Sequence, residues 1–469
     1  MSVTQIAILA IVAVLVNQVK KGRSLALLGA SAMVVYWLQP HQTSANLTFW
    51  FPTCTLLLAF IFWLVTSVPE VRSWNQNWSA VVILLGVMIL VDLNRYLGIE
   101  YFFIANTPRF QFVVAALLGI ALIGFSLARV REFRPIMFSL LIIGLIVILF
   151  VIKSPLVLTK LTEIIADFRG KVSVSTEFSW LGFSYVAFRL LHTVIDRKAG
   201  RLQAVPLADF VNYVIFFPAF VAGPIDRIER FAGQLNGITA LNREDWVAAG
   251  SRLFAGLFKK FVIADALAWF ALSDVIASDV HSRGWLWTLV YAYSLRIFFD
   301  FSGYTDIAIG LGMLLGIRLP ENFSSPYFKA NLTQFWNSWH MTLTQWFRSY
   351  FFNPLTRSLR STDKPLPVPV IIFITQVATM VLIGLWHGVT LGFFLWGLWH
   401  GVGLFVQNRW SEWMKVHESE WGRTGGGAAF LKYSGIFLTF HYVTLGWLFF
   451  ALSDSAMAWS ILLRLLGAS

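Results

Sequence analysis

The chain has 469 residues, of which 57% are hydrophobic and only 13% are charged, and its formal net charge is +12. A soluble domain carries roughly 25% charged residues, so this composition excludes an ordinary water-exposed globule. The basic residues lie in short loops between apolar segments, as the positive-inside rule of membrane proteins requires, so the charge does not indicate a nucleic-acid partner. The single cysteine excludes an intrachain disulfide framework and a cysteine-cluster metal site.

Apolar runs that cross, or nearly cross, a hydrocarbon core recur along the chain, since a crossing helix needs about 20 residues. The clearest runs are residues 81–90, 110–127, 136–152, 370–385 and 430–452. We therefore predict an all-α, polytopic membrane protein with roughly 11 transmembrane helices, together with re-entrant or interfacial helices.

Residues 1–154 are predicted to form the N-terminal transmembrane helices. The first apolar stretch, residues 6–16, is followed rather than preceded by basic residues, which is the reverse of a secretory signal peptide. Six helices up to residue 152 satisfy both alternation and the basic bias of the loops. Residues 155–175 suit an extracytoplasmic interfacial helix, because apolar and charged side chains interleave there at helical spacing.

Beyond Phe178 the apolar segments carry embedded polar residues, of which the first 150 residues hold few. Ionisable side chains inside membrane segments are expensive and usually functional, so residues 176–410 are predicted to form the functional core. A polar linker and further transmembrane helices occupy residues 411–469. The embedded polar residues are Arg189, His192, Arg296, Asp300, Asp306, Asn337, His340, His387 and His400.

The strongest local feature is the motif Gly384-Leu385-Trp386-His387-Gly388, which lies between two apolar runs. Neutral imidazole is a capable general base near physiological pH, and burial in an apolar site favours the neutral form. The flanking glycines would let another backbone or a thin substrate approach His387 closely. The structural alternative is a histidine that is hydrogen-bonded across a helix interface.

A second histidine stands in the motif Phe335-Trp336-Asn337-Ser338-Trp339-His340, beside an amide, a hydroxyl and two indoles. On a continuous helix Trp336 and His340 share one face, which could orient a hydroxyl or hold a carbonyl oxygen. The alternative is an interfacial aromatic belt. His400 is predicted to pack between helices or to line a polar site.

Two further segments interrupt apolar runs. Two prolines and a glycine between Phe216 and Arg227 predict either a broken helix, which is tolerated at membrane depth only inside protein or along a cavity, or a simple loop. The segment Phe299-Asp300-Phe301-Ser302-Gly303-Tyr304-Thr305-Asp306 holds two carboxylates, which are predicted to accept hydrogen bonds or to pair with arginines such as Arg296.

Several other chemistries lack their sequence signals. No pair of histidines has the i, i+4 spacing of a helical zinc site and no carboxylate neighbours His387, so metal catalysis is disfavoured and no metal ligand is predicted. A phosphate-binding loop with Lys and Ser/Thr is absent, which disfavours an ATPase. Gly-x-Ser-x-Gly is absent too, which disfavours a serine hydrolase elbow.

Taken together, these segments resemble the membrane-bound O-acyltransferase family, and within it the bacterial alginate and polysaccharide O-acetyltransferase type. Five motifs in the family's order carry this resemblance and span most of residues 178–410, whereas the N-terminal helices match only in hydropathy. The motifs are Phe217-Pro218 with Gly223-Pro224, Phe299 to Asp306, Pro320-Glu321-Asn322-Phe323, Phe335 to Leu343, and Gly384 to Gly388.

The resemblance implies a ring of tilted helices around a central funnel and tunnel, in the bacterial cytoplasmic (inner) membrane. It implies that His387 is the catalytic histidine and His340 the family's second characteristic position. It further implies substrate-binding roles near these two histidines. The residues concerned are Trp336, Asn337, Trp339, Trp386, Tyr304, Asp306, Asn322 and Arg348.

The resemblance also implies the substrates. An acyl thioester, most simply acetyl-CoA or another acyl-CoA, would be the donor on the cytoplasmic side, and no cofactor would be bound permanently. The acyl group would pass to a cell-surface polysaccharide, directly or through an extracytoplasmic acyltransferase partner. D-alanyl transfer to teichoic acid is one alternative, because Gly223-Pro224-Ile225-Asp226-Arg227 also occurs in those relatives. A proton-coupled transporter or flippase and a non-catalytic scaffold are two others.

Overall fold

The computed structural model describes most of the chain as helix, and its described residues contain no strand, which confirms the all-α prediction. The described residues are 1–40, 46–97, 107–130, 133–169, 179–237, 241–417 and 425–468. They form two compact units. The N-terminal unit is Met1–Phe254 with Asp306–Pro320, and the C-terminal unit is Ala255–Thr305 with Glu321–Ser469. The domain boundaries predicted from composition remain predictions.

The helices fall into two stretches of sequence. Up to residue 257 they are α1 (Val3–Gln18), α2 (Arg23–Leu38), α3 (Leu47–Thr66), α4 (Trp74–Leu97), α5 (Phe110–Ala128), α6 (Pro135–Lys153), α7 (Pro155–Arg169), α8 (Phe183–Lys198), α9 (Leu207–Ile215), α10 (Ile228–Asn236) and α11 (Arg243–Leu257). Beyond it they are α12 (Asp265–Ala268), α13 (Asp274–Asp279), α14 (Arg283–Leu314), α15 (Leu332–Trp336), α16 (Met341–Phe347), α17 (Asn353–Arg360), α18 (Val368–His387), α19 (Leu391–His417), α20 (Gly425–Gly446), α21 (Leu448–Ala451) and α22 (Ser455–Leu466). Two π-helical turns, Phe258–Ala264 and Arg348–Phe352, interrupt this pattern.

Seven helical segments among the described residues are long and apolar enough to cross a membrane, so the chain is a multi-pass membrane protein. They are α3, α4, α5, α6, α14, α18 and the segment Gly426–Ala451. Only 11% of the α5 span and 6% of the α6 span are buried inside the protein, against 61% for α3. Most residues of α5 and α6 therefore keep side-chain surface that lipid can cover, whereas α3, of the same predicted N-terminal block, is largely enclosed by protein.

The interrupted segment after α9 is a buried break in a helix. A 3₁₀ turn, Phe217–Ala219, follows α9, and the chain then runs without regular structure to α10. The residues of the turn are buried, and a Cβ at Gly223 would overlap the Ala219 backbone. Of the two predicted alternatives the broken helix is therefore correct, because an open surface loop would not be enclosed in this way.

Arg189 of α8 holds this break together. Its side chain is only 2% exposed, and its guanidinium donates to the Val214 carbonyl at 2.9 Å and to the Ala219 carbonyl at 2.6 Å. Position 218 is a proline without an N–H, so no i+4 backbone donor satisfies the Val214 carbonyl, whereas the Ala219 carbonyl also accepts from the Gly223 N–H at 3.3 Å. Arg189 thus supplies the donor that the broken helix lacks at Val214 and adds a second donor at Ala219.

Replacing Arg189 with methionine should destabilise the protein by about 1–3 kcal/mol, because the buried Val214 carbonyl loses its donor and the Ala219 carbonyl keeps only the Gly223 N–H. Thermal unfolding of the detergent-solubilised protein would show this as a lowered Tm. Lys198→Met is the matched control, since Lys198 is exposed at the end of the same helix. Equal Tm values for the two variants would contradict this role for Arg189.

The carboxylates of Asp300 and Asp306 lie on α14, which runs through this motif without a break. Within the N-terminal unit Asp306 pairs with Arg252 at 3.1 Å, and within the C-terminal unit Asp300 pairs with Lys260 at 2.5 Å. The predicted ion pairing is therefore present, but with other partners than Arg296. For Asp300 the reason is local, because Lys260 lies in a π-helical turn whose backbone packs against α14 at Gly303.

Candidate active site

A tight pair of helices positions His387. α18 ends at His387, and α19 begins three residues after Gly388. A Cβ at Gly384 would overlap the Phe393 carbonyl, and a Cβ at Gly397 would lie 2.5 Å from the Met380 carbonyl oxygen. At Gly384 the predicted close approach is made by backbone, that of α19, whereas a Cβ at Gly388 would meet the Phe393 ring.

We expect Gly384→Ala to force α18 and α19 apart and to lower both the Tm and any activity that depends on His387. The physical reason is that backbone, not a flexible side chain, occupies the space of the new methyl group. Gly119→Ala is the control, because nothing lies within 4 Å of a Cβ there. Since alanine favours a helix by about 1 kcal/mol over glycine, the control should be neutral or stabilising. A Tm for Gly384→Ala at or above that of the control would contradict the close packing.

The imidazole of His387 is half-buried among aromatic rings. Ring centroids of Trp386, Phe450, Trp396 and Phe393 lie at 4.6, 4.9, 5.7 and 6.0 Å from it. Apolar walls of this kind lower the local dielectric, so a polar group of a substrate would interact more strongly with the imidazole there than in solvent.

His340 does not continue the helix of Trp336. α15 ends at Trp336, and His340 adopts a left-handed backbone conformation, with φ at +43°, just before α16. The prediction that the two side chains share a helical face is therefore wrong. A left-handed conformation costs roughly 1–2 kcal/mol for a residue with a side chain, so surrounding contacts must hold His340 in place.

Asn322 supplies those contacts. Its side chain is fully buried, and its Oδ1 accepts from the Thr342 backbone N–H at 3.1 Å and from the Thr342 hydroxyl at 2.8 Å. The same oxygen lies 3.3 Å from the His340 Nδ1. The Met341 N–H donates to the Asn322 carbonyl at 2.9 Å. Asn322 thus fixes the turn that carries His340.

This contact also assigns the tautomer of His340. A backbone N–H can only donate, so the atom of Asn322 that faces Thr342 is the amide oxygen, and the His340 Nδ1 must carry the proton that this oxygen accepts. Burial lowers the pKa of His340 to about 3, so its imidazole is neutral at physiological pH. In a neutral ring with Nδ1 protonated, Nε2 is the atom that can accept a proton.

The two histidines meet at one indole. The Trp386 ring lies 4.6 Å from the His387 ring and 6.4 Å from the His340 ring, centroid to centroid. Phe301 packs against His340 from another direction at 4.7 Å. All four residues belong to the C-terminal unit. The structure therefore brings together the two predicted catalytic residues and one predicted substrate-binding residue.

The other predicted substrate-binding residues lie in different surroundings. Trp336, Asn337 and Arg348 line one cavity of about 190 Å³ in the C-terminal unit. Trp339 is buried in an aromatic cluster, with Phe323 at 5.2 Å. Asn322 positions His340, and Tyr304 is half-buried on α14. Asp306 is held in its ion pair with Arg252 within the N-terminal unit. Their roles towards substrate remain predictions.

Gln376 is a site residue that sequence reasoning missed. It lines the same cavity, and its buried side-chain oxygen has no hydrogen-bond partner among the described residues. A signal for it existed, because it is a lone amide in the apolar helix α18, and polar groups in such helices tend to be functional. His400, in contrast, packs against Trp336 and Trp396 at 5.1 and 5.0 Å, as predicted for a helix-packing residue.

The fold and this cluster define a multi-pass helical membrane protein in which two histidines pack against one indole. Comparison with known proteins identifies the family to which the chain belongs. The chain belongs to the membrane-bound O-acyltransferase family, whose profile matches residues 133–451. This match confirms both the recognition of the family from its motifs and the prediction of an O-acyltransferase.

Individual relatives modify bacterial surface polymers. The chain is 30% identical to the teichoic acid D-alanyltransferase of Streptococcus thermophilus over 64% of its own length and 74% of the relative's. It is 33% identical to the probable alginate O-acetylase of Pseudomonas aeruginosa over 64% of its own length and 54% of the relative's. The peptidoglycan O-acetyltransferase of Helicobacter pylori is also 33% identical, over 55% of this chain and 46% of the relative. The chain thus spans about half the length of these two O-acetylating relatives.

Proposed function

We propose that this protein transfers an acyl group, most simply acetyl, from a thioester donor to hydroxyl groups of a cell-surface polysaccharide. The observation that carries the proposal is the placement of His387 and His340 on the same indole, that of Trp386, with the tautomer of His340 set by Asn322. Relatives named for the O-acetylation of alginate and peptidoglycan support a polysaccharide acceptor. A relative named for D-alanyl transfer keeps teichoic acid as the second candidate.

The reaction needs a base and a place for negative charge. The acceptor hydroxyl oxygen attacks the thioester carbonyl carbon while the base removes its proton, and the collapsing intermediate expels the thiolate, which takes up a proton. We assign the base to His387, because it lies at the end of α18 among four aromatic rings. His340 orients the acceptor hydroxyl or the carbonyl oxygen, and nearby indole N–H groups are suited to stabilise the oxyanion.

The finer architecture belongs to the same proposal. Seven helical segments are long and apolar enough to span, and four shorter apolar segments, α1, α2, α22 and Leu207–Ala219, would bring the number of spans to the predicted eleven. We propose that they form the family's ring around a funnel and tunnel in the bacterial cytoplasmic membrane. The donor would enter from the cytoplasm, and the acyl group would leave on the far side, to the polymer or to an extracytoplasmic partner protein.

A solubilised-enzyme assay tests this proposal. Purified protein in detergent is mixed with acetyl-labelled acetyl-CoA and oligosaccharides of alginate or peptidoglycan, and both thiol release and labelled sugar esters are measured. Acyl transfer needs no sealed membrane, so we expect both products. Uptake of label into sealed vesicles, without thiol release in detergent, would instead establish a transporter. Label that moves only from a D-alanyl thioester would establish the teichoic acid alternative.

A further inference from the structure

A cavity of about 740 Å³ lies in the N-terminal unit, between the turn that joins α1 to α2 and the region of α10 and α11. Small-ligand sites typically enclose roughly 300–1,000 Å³. Neither His387 nor His340 lines this cavity, so the proposed acyl transfer does not explain it. Polar and aromatic side chains form much of its wall, among them Gln18, Lys20, Arg23, Ser24, Asn236 and Trp246.

Positive charge is concentrated on the wall that the α1–α2 turn forms. Lys20 is exposed, and the described residues contain no ion pair for it. The Arg23 guanidinium is half-buried and donates to the Leu315 carbonyl, which holds it in the wall. Arg23 also begins α2, whose N-cap Gly22 has no side-chain cap, so the first N–H groups of that helix lack a partner within it. The two cations, together with this helix end, favour an anionic ligand.

Carboxylates do not cancel this charge inside the cavity, since none lines it among the described residues. Asp209 lies behind the wall and is buried. Its two carboxylate oxygens accept from the Ser24 hydroxyl at 2.6 Å and from the Asn236 Nδ2 at 3.0 Å. Asp245, in the first turn of α11, pairs with Arg318 at 3.3 Å. Both carboxylates are thus bound by protein groups, and the wall of the cavity stays positive.

Two exposed apolar stripes lead to the cavity. On α1, Ile11 and Leu15 are 60% and 59% exposed, and they share one helical face with Gln18 of the cavity wall, because the spacings are four and three residues. On α11, Trp246 lines the cavity, and Phe254, two turns further on, is 72% exposed. Apolar stripes of this kind on a membrane protein face acyl chains, and tryptophan is enriched at the headgroup level. The cavity therefore lies where the lipid-facing surface ends.

The charges of the turn also give its side of the membrane. Lys20, Lys21 and Arg23 directly follow the first apolar helix, so the positive-inside rule places this turn in the cytoplasm. The surface of the cytoplasmic leaflet is negative, and basic pockets between transmembrane helices on that side bind lipid headgroups. An anionic lipid is therefore the ligand that reaches this cavity without leaving the membrane.

We propose that the cavity binds the phosphate of an anionic phospholipid from the cytoplasmic leaflet. The phosphate pairs with Lys20 and Arg23, and it accepts hydrogen bonds from the N-terminus of α2. The acyl chains lie along Ile11 and Leu15, and Trp246 packs against the glycerol part of the lipid. The bound lipid joins the α1–α2 turn to α11 and stabilises the N-terminal unit. This site does not depend on the proposed acyl transfer.

Lipid titrations of three variants test this site. The probes are dioleoyl phosphatidylglycerol, which is anionic, and dioleoyl phosphatidylcholine, which has the same acyl chains but no net charge. Their binding to the detergent-solubilised protein is measured by native mass spectrometry. Lys20→Gln removes a cation from the wall, and Gln18→Glu adds a carboxylate to it with little change in side-chain size. Lys21→Gln is the matched control, because Lys21 is the neighbouring exposed lysine and does not line the cavity.

We expect each cavity variant to weaken phosphatidylglycerol binding about fivefold, the effect of one basic residue near a lipid phosphate. The control should stay within about twofold of the wild-type protein, because salt screens an exposed charge outside the site. Phosphatidylcholine should bind the wild-type protein more weakly than phosphatidylglycerol does. Equal losses in Lys20→Gln and Lys21→Gln, or equal binding of the two lipids by the wild-type protein, would overturn the proposal.

Thermal unfolding provides a second readout, because a ligand that binds only the native state raises the Tm. Phosphatidylglycerol should raise the Tm of the wild-type protein and of Lys21→Gln, and it should raise that of Lys20→Gln and Gln18→Glu much less. Glycerol 3-phosphate, which carries the phosphate without acyl chains, distinguishes a lipid from a soluble anion and should leave the Tm unchanged at the same concentration. A rise equal to that with the lipid, or no rise with the lipid, would contradict a lipid site.

Discussion

His387→Gln is expected to lower kcat by about 10³-fold while KM for the donor changes little, because a general base contributes roughly 10²–10⁴-fold to proton transfer. Glutamine fills much of the space of the imidazole and can still hydrogen-bond, but it cannot take up a proton. The aromatic walls made by Trp386, Trp396 and Phe450 should hold the new side chain in place. The loss should therefore appear in the chemical step and not in the fold.

Three measurements check this expectation: kcat and KM for acetyl-CoA, and the Tm of the solubilised protein. His417→Gln is the matched control, since His417 is an exposed histidine at the end of α19 that stacks on Trp413 at 4.6 Å. The control should keep wild-type kcat. If His387→Gln kept kcat within about twofold, His387 would not be the general base of the reaction.

Asn322→Leu is expected to lower both the stability of the protein and its acyl transfer. Leucine removes the oxygen that faces the Thr342 N–H, the Thr342 hydroxyl and the His340 Nδ1, all of them buried. A buried donor that loses its partner costs about 1–3 kcal/mol, so we expect a stability loss of roughly 3 kcal/mol or more. The left-handed turn at His340 would relax, and acyl transfer would fall because His340 leaves its place beside Trp386.

Thr342→Val separates this network from ordinary packing. Valine removes only the hydroxyl bond to Asn322 and keeps the backbone bond, so the stability loss should be about 1 kcal/mol and much of the activity should remain. Both variants are compared by Tm and by kcat. A Tm for Asn322→Leu no lower than that for Thr342→Val would show that Asn322 does not hold the His340 turn.

Much of the site was visible in the sequence for one physical reason. A bilayer tolerates a polar side chain only where protein or function satisfies it, so His387, His340 and Asp300 stand out against their apolar neighbours without any structure. Glycine spacing around His387 likewise predicted a close backbone approach, and α19 makes that approach. Gln376 carried the same signal and could have been found by the same rule.

The sequence did not show which residues from distant segments contact each other. Asp300 binds Lys260 rather than Arg296, although Arg296 lies one helical turn away in sequence, because a π-helical turn packs against α14 at Gly303. The helix at Trp336 stops before His340, because Asn322, 18 residues upstream, captures the turn. Periodicity describes one helix at a time and contains no information on what another segment brings to it.

The sequence by itself therefore determined that this is a helical, multi-pass membrane protein with its polar residues concentrated beyond Phe178, because lipid permits few other arrangements of such a composition. Its motif order was sufficient to recognise the family. Only the tertiary structure decided that His387 and His340 both pack against Trp386, and that Asn322 determines which ring nitrogen of His340 carries the proton. It also decided that Trp336 and Gln376 line one cavity. These are contacts between separate segments, and packing in three dimensions alone fixes them.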